Sequence, residues 1–74
     1  MEKKFLNTRT ITKASKGRDV LRKNGINAFV QAARGNLSAN GCGYGIVVSA
    51  AALERARYLL KNAGVEIIGI STLD

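Results

Sequence analysis

Between Thr10 and Gly25 the small and apolar residues Ala14, Gly17, Val20 and Leu21 recur at three- and four-residue steps, the stripe of one helix face. Thr10 or Thr12 is placed to cap its N-terminus, and Gly25 to supply the left-handed residue that ends it. After it Ile26, Ala28, Val30 and Ala32 alternate with other residues, which predicts a strand. A second helix is predicted from Leu53, Ala56, Leu59, Leu60 and Ala63, with Ser49 as its cap, Gly64 as its terminator and Val65 to Ile70 as the following strand. Lys3 to Arg9 and Tyr44 to Val48 read as the remaining two strands.

The two halves repeat each other. Leu21-Arg22-Lys23-Asn24-Gly25-Ile26 and Leu60-Lys61-Asn62-Ala63-Gly64-Val65 share a frame at an offset of 39 residues. The same offset pairs Phe5 with Tyr44, Thr10 with Ser49, Ala14 with Leu53, Gly17 with Ala56 and Val20 with Leu59. One strand-helix-strand unit used twice gives βαββαβ, and the whole chain, 1–74, reads as one domain. The usual solution is the α+β, ferredoxin-like split β-α-β fold: a four-stranded antiparallel sheet of order 4-1-3-2 with both helices on one face. In that arrangement Tyr44, Ile46 and Val48 point toward the helices, and both aromatics, Phe5 and Tyr44, belong to the core. Strand 4, read as Val65 to Ile70, sets Ile68 and Ile70 on the face opposite Val65 and Ile67. That makes both faces apolar and predicts self-association through the open sheet face.

Net charge is +7, and its distribution is lopsided: residues 1 to 34 hold nine Lys/Arg against Glu2 and Asp19, residues 35 to 74 three against three. Helix 1 alone carries Lys13, Lys16, Arg18, Arg22 and Lys23. Such a surface solubilises the chain or attracts an anionic partner, nucleic acid among them. No apolar run approaches the roughly 18 residues of a membrane span, and the N-terminal segment is too short for a signal h-region. One cysteine cannot close an internal disulfide, so a reducing, cytoplasmic location is expected, with no membrane association. The five carboxylates are scattered, which argues against paired acid–base catalysis.

Cys42 is the best candidate for chemistry. It stands in Asn40-Gly41-Cys42-Gly43-Tyr44-Gly45, where glycines strip away side chains around one thiol, and the chain contains no histidine to activate it or to share a metal. No metal and no cofactor are therefore expected. Gly41 and Gly43 bring backbone amides near the sulfur. The predicted topology puts the strand 2–3 loop at the same end as the exit of strand 1, so Cys42 is expected beside Thr8, Arg9, Thr10, the positive N-terminus of helix 1, and Arg34. Each of these favours a thiolate over a thiol whose ordinary pKa is about 8.5. The bland alternative is a small buried filler, since free cysteine is among the most buried residue types. The Gly41-x-Gly43-x-Gly45 spacing does not mark a phosphate loop, because it leads into a strand and not a helix.

Thr8-Arg9-Thr10, the helix ending Leu21 to Ile26, the turn Arg34 to Ser38 leading to Cys42-Gly43, and Gly64-Val65-Glu66-Ile67-Ile68-Gly69-Ile70 together resemble the selenium/sulfur carrier-like domains. Those are small βαββαβ units with an arginine in the strand 2–3 turn and Cys-Gly at the start of strand 3. The resemblance implies that Cys42 carries a persulfide or selenopersulfide; a lone thiol that senses thiol chemistry is the other reading of the same residue. Arg34, Arg9 and the Thr8 to Thr10 turn would surround it, and protein donors and acceptors would exchange the chalcogen. It implies carriage more than turnover. This chain departs from the pattern in its more basic first half and in a longer turn carrying Asn36, Asn40 and Gly41.

A second resemblance competes. Gly43-Tyr44-Gly45-Ile46-Val47 is similar to the middle of the RNA-recognition-motif octamer on strand 3, with Phe5 as the strand 1 aromatic. That reading requires Tyr44 and Phe5 to face outward together on the open sheet.

Overall fold

The computed structural model describes residues 2–32 and 43–73. Along the chain come β1 (Lys3–Asn7), α1 (Ile11–Lys23), β2 (Phe29–Ala32), β3 (Tyr44–Ser49), a 3₁₀ turn (Ala50–Ala52), α2 (Leu53–Asn62) and β4 (Gly69–Leu73). The strands form one antiparallel sheet of order β2-β3-β1-β4, which is the expected 4-1-3-2 viewed from the other edge. The fold is the ferredoxin-like split β-α-β. Leu6, Ala28, Ile46 and Val48 from one face of the sheet pack with Ala14 and Leu21 of α1 and Ala56 and Leu60 of α2, so both helices lie on that face.

The repeat is most exact where the helices stop. Ile26 N–H donates to the Leu21 carbonyl at 2.9 Å and Val65 N–H to the Leu60 carbonyl at 2.9 Å. Gly25 N–H reaches Arg22 O at 3.1 Å, and Gly64 N–H reaches Lys61 O at 3.2 Å. Both helices thus end in a Schellman motif, with the glycines at φ +80° and +79° and with Ile26 and Val65 folded back into the core beside Leu21 and Leu60. At the start of α1 the cap is Thr10, whose hydroxyl accepts from Lys13 N–H at 3.2 Å. Ser49 stands before the 3₁₀ turn but makes no side-chain capping bond there, and α2 itself begins after Ala52. The turn interposed between β3 and α2 removes Ser49 from the first α-helical turn.

Gly17 belongs to the buried stripe because three elements meet at it. A β-carbon there would lie 2.5 Å from Ile46 Cδ1 and 2.7 Å from Leu60 Cδ2, so a hydrogen is what lets α1 settle onto β3 and α2 together.

Facing is where the structure corrects the sequence. β1 sets Leu6 toward the helices, opposite Ile46, and Phe5 toward the other face, opposite Val47. Phe5 is fully buried even so, at 0% exposure. Tyr44 alternates in register with Ile46 and Val48 and so lies on the helix side, where it keeps 36% exposure at the end of the strand. Phe5 and Tyr44, equivalent by the 39-residue offset, therefore face opposite ways. A one-residue slip between the helix and strand parts of the repeat flips the face, because strand side chains have period two.

The last strand is also shorter than expected. Val65 to Ile68 form a connection, not a strand, since Val65 is spent on closing α2, and sheet pairing starts where Gly69 meets Asn7. Ile70 opposes Leu6 and shares its face, the helix side. It is 42% exposed because α2 packs against α1 and β3 while β4 lies at the far edge. The apolar open face expected from Ile68 and Ile70 is thus not what the register produces. No described helix is long and apolar enough to cross a membrane.

Candidate functional site

The C-terminal end of β1 and the beginning of β3 are joined beyond the regular ladder. Thr8 is buried, with 1% exposure, and both its N–H (2.9 Å) and its hydroxyl (3.1 Å) donate to the carbonyl of Tyr44. The hydroxyl also stands 3.2 Å from the Thr10 carbonyl, and Thr10 N–H donates to Thr8 O at 2.9 Å, which folds the chain into α1. Thr8 therefore positions this end of the sheet from within, and its hydroxyl is spent on backbone. Thr10 is exposed, and its oxygen is engaged in the helix cap.

Between them Arg9 has φ +75°, the left-handed region that a residue with a β-carbon adopts at a cost of about 1 to 3 kcal/mol. The Asn7 side chain offsets part of that cost by accepting Arg9 N–H at 2.9 Å. The result is an exposed cationic side chain on a fixed turn at the N-terminal, positive end of α1.

Gly43 rests on that turn. A β-carbon at 43 would be 3.3 Å from the Arg9 carbonyl oxygen and 3.8 Å from Asn7 Oδ1, close enough that a side chain would shift the turn by a few tenths of an ångström. Gly43 is thus held against the Arg9 turn, the end of the sheet at which Cys42 was expected. Cys42, Arg34 and Gly41 lie outside the described residues.

Gly45 has a different purpose. A β-carbon there would be 2.7 Å from Phe5 Cε1 and 2.6 Å from the Leu6 carbonyl oxygen, so the absent side chain makes room for the Phe5 ring on the sheet face away from the helices. One of the glycines that drew attention to the Cys42 loop is accordingly explained by packing. Because Tyr44 lies on the helix side and Phe5 on the opposite one, the two rings do not form the paired outward platform of the RNA-recognition octamer. The exposed ring on the open face is instead Phe29, which the alternation of Ala28, Phe29 and Val30 places opposite Val47, and which the sequence pattern gave no reason to single out.

No family model matches the chain, and neither a curated protein nor a solved structure matches it.

Proposed function

We propose that this domain is a sulfur or selenium carrier in which Cys42 holds the chalcogen as a persulfide or selenopersulfide and passes it between protein partners. The observation that supports this reading is the seating of Gly43 on the Arg9 turn. Gly43, the residue that follows Cys42 in the chain, sits against the Arg9 carbonyl at the N-terminal, positive end of α1. The left-handed backbone at Arg9 adds weight, since strain kept at an exposed polar turn is characteristic of sites with a task.

The exchange is balanced without an external oxidant. The Cys42 thiolate attacks the outer sulfur of a donor persulfide, a new S–S bond forms at Cys42, and the donor's S–S bond breaks with its electron pair leaving on the donor thiolate. Arg9, and Arg34 on the other side of the loop in sequence, stabilise the attacking and resulting anions; backbone N–H groups at Gly41 and Gly43 serve the same charge. Such a domain has no need of turnover chemistry of its own, and a reducing cytoplasm suits it.

Intact mass after incubation with a protein persulfide donor tests the reading. The wild type is expected to gain one sulfur atom and Cys42→Ser none. Equal gain by the variant, or a Cys42 thiol titrating at or above about 8.5, overturns it.

A further inference from the structure

At the end of the sheet opposite the Arg9 turn, the open face carries one exposed aromatic ring between cationic residues. Phe29, at the start of β2, is 53% exposed. Arg22, in the last turn of α1, has its guanidinium carbon 5.7 Å from the centre of that ring and donates through Nε to the Ala28 carbonyl at 3.0 Å. The stack and the hydrogen bond hold the guanidinium beside the ring and leave its two Nη groups as donors. Across the sheet, Phe29 opposes Val47 and Lys3 opposes Ser49, so Lys3 shares the open face with Phe29, two strand spacings across and two residues along, or about 12 Å away. A groove of about 460 Å³ at this end of the sheet has Lys3 and Phe29 on its rim and the apolar Ile26, Val47, Val48 and Ala52 within it, and no described carboxylate lines it. Lys23 follows Arg22 at the end of α1. Among the described residues Lys4, Arg18 and Arg57 have acidic partners, whereas no ion pair involves Lys3, Arg22 or Lys23.

We infer that this face binds single-stranded nucleic acid, with an unpaired base stacked on Phe29 and the flanking phosphates held by Arg22 and Lys3. A ring with a guanidinium already against it presents a flat π surface inside a positive field, the combination by which sequence-tolerant single-strand binders work. A second copy of the chain is a poor occupant. Apart from Phe29 the residues of this face whose exposure the structure describes are polar or already covered: Lys3, Asn7, Gln31, Ser49 and Ser71 surround a buried Phe5 and Val47. One exposed ring is far short of the roughly 800 Å² per partner of a standard interface, and two such basic faces would repel each other. The charge excess of the first half, nine basic residues against two acidic, matches a polyanion.

The test is fluorescence anisotropy of the full chain with a labelled single-stranded RNA of about 12 nucleotides and with a duplex of the same length. Single-strand binding weakened by added salt is expected. Phe29→Ala should weaken it about 5- to 100-fold while Phe29→Tyr retains it, and Arg22→Gln and Lys3→Gln should each flatten the salt dependence by about 0.7 in the log–log slope. Cys42→Ser should bind RNA as the wild type does, which keeps this site separate from the carrier proposal. No binding at low salt, equal affinity for the duplex, or an unchanged affinity in Phe29→Ala overturns the inference. So does a dimer in sedimentation that Phe29→Ala converts to monomer.

Discussion

The ring of Phe5 occupies the space that a side chain at Gly45 would take, and the two residues sit diagonally across the β1–β3 ladder on the face away from the helices. A β-carbon at 45 would meet both the ring and the Leu6 carbonyl, and the backbone cannot move without loosening the two central strands. Gly45→Ala is therefore expected to destabilise the domain by about 1 to 3 kcal/mol. Urea denaturation checks it, and a loss below about 0.5 kcal/mol would show that the ring can lie elsewhere.

Gly17→Ala sets two effects against each other. Alanine favours a helix interior by about 1 kcal/mol, but its methyl would enter the space of Ile46 Cδ1 and Leu60 Cδ2. Overpacking should win, giving a net loss of about 1 kcal/mol, and Ile46→Val, which removes that terminal methyl, should restore part of it in the double variant. A double-mutant cycle with no coupling between 17 and 46 would contradict the packing described.

The matched helix ends predict matched penalties. Gly25 and Gly64 both have positive φ with open space where a β-carbon would go, so the cost of alanine is one of backbone alone. Each substitution should lower stability by about 1 to 2 kcal/mol, nearly equally, and the two should add in the double variant because the sites share no partner. Thermal denaturation of the three variants reads this directly.

Arg9 should separate stability from function. Arg9→Gly relieves the left-handed strain and is expected to leave folding stability unchanged or raise it by up to about 1 kcal/mol. The same change removes a cation from the turn on which Gly43 rests, and the rate of persulfide loading at Cys42 should fall. Stopped-flow loading alongside a thermal melt checks both, and a variant both unstable and fully active would reverse the assignment.

What was legible in the sequence depended on how local its cause is. The two Schellman endings are encoded within six residues each, Leu21 to Ile26 and Leu60 to Val65, and they came through intact. The sheet order followed from the repeat. Strand facing did not, because the offset of 39 that aligns the helices misaligns Phe5 with Tyr44 by one residue, and only the pairing of Leu6 with Ile46 settles which side each takes. The start of β4 escapes the sequence for a related reason: Val65, Ile67 and Ile68 are apolar, but Val65 is committed to α2 before any strand begins. At the candidate site the topology explains why the start of β3 meets the turn after β1, whereas the purpose of Gly45 required the position of a ring 40 residues away. Phe29 went unremarked because exposure of a single aromatic leaves no periodic trace.

The Tyr44 carbonyl, which takes two donors from Thr8, also fixes where the chain returns to the sheet after residues 33 to 42. Ala32 and Tyr44 are direct partners, so that segment leaves and rejoins at neighbouring points of one rigid frame. The register of β3 is thus held at its first residue by a side chain 36 residues earlier in the chain.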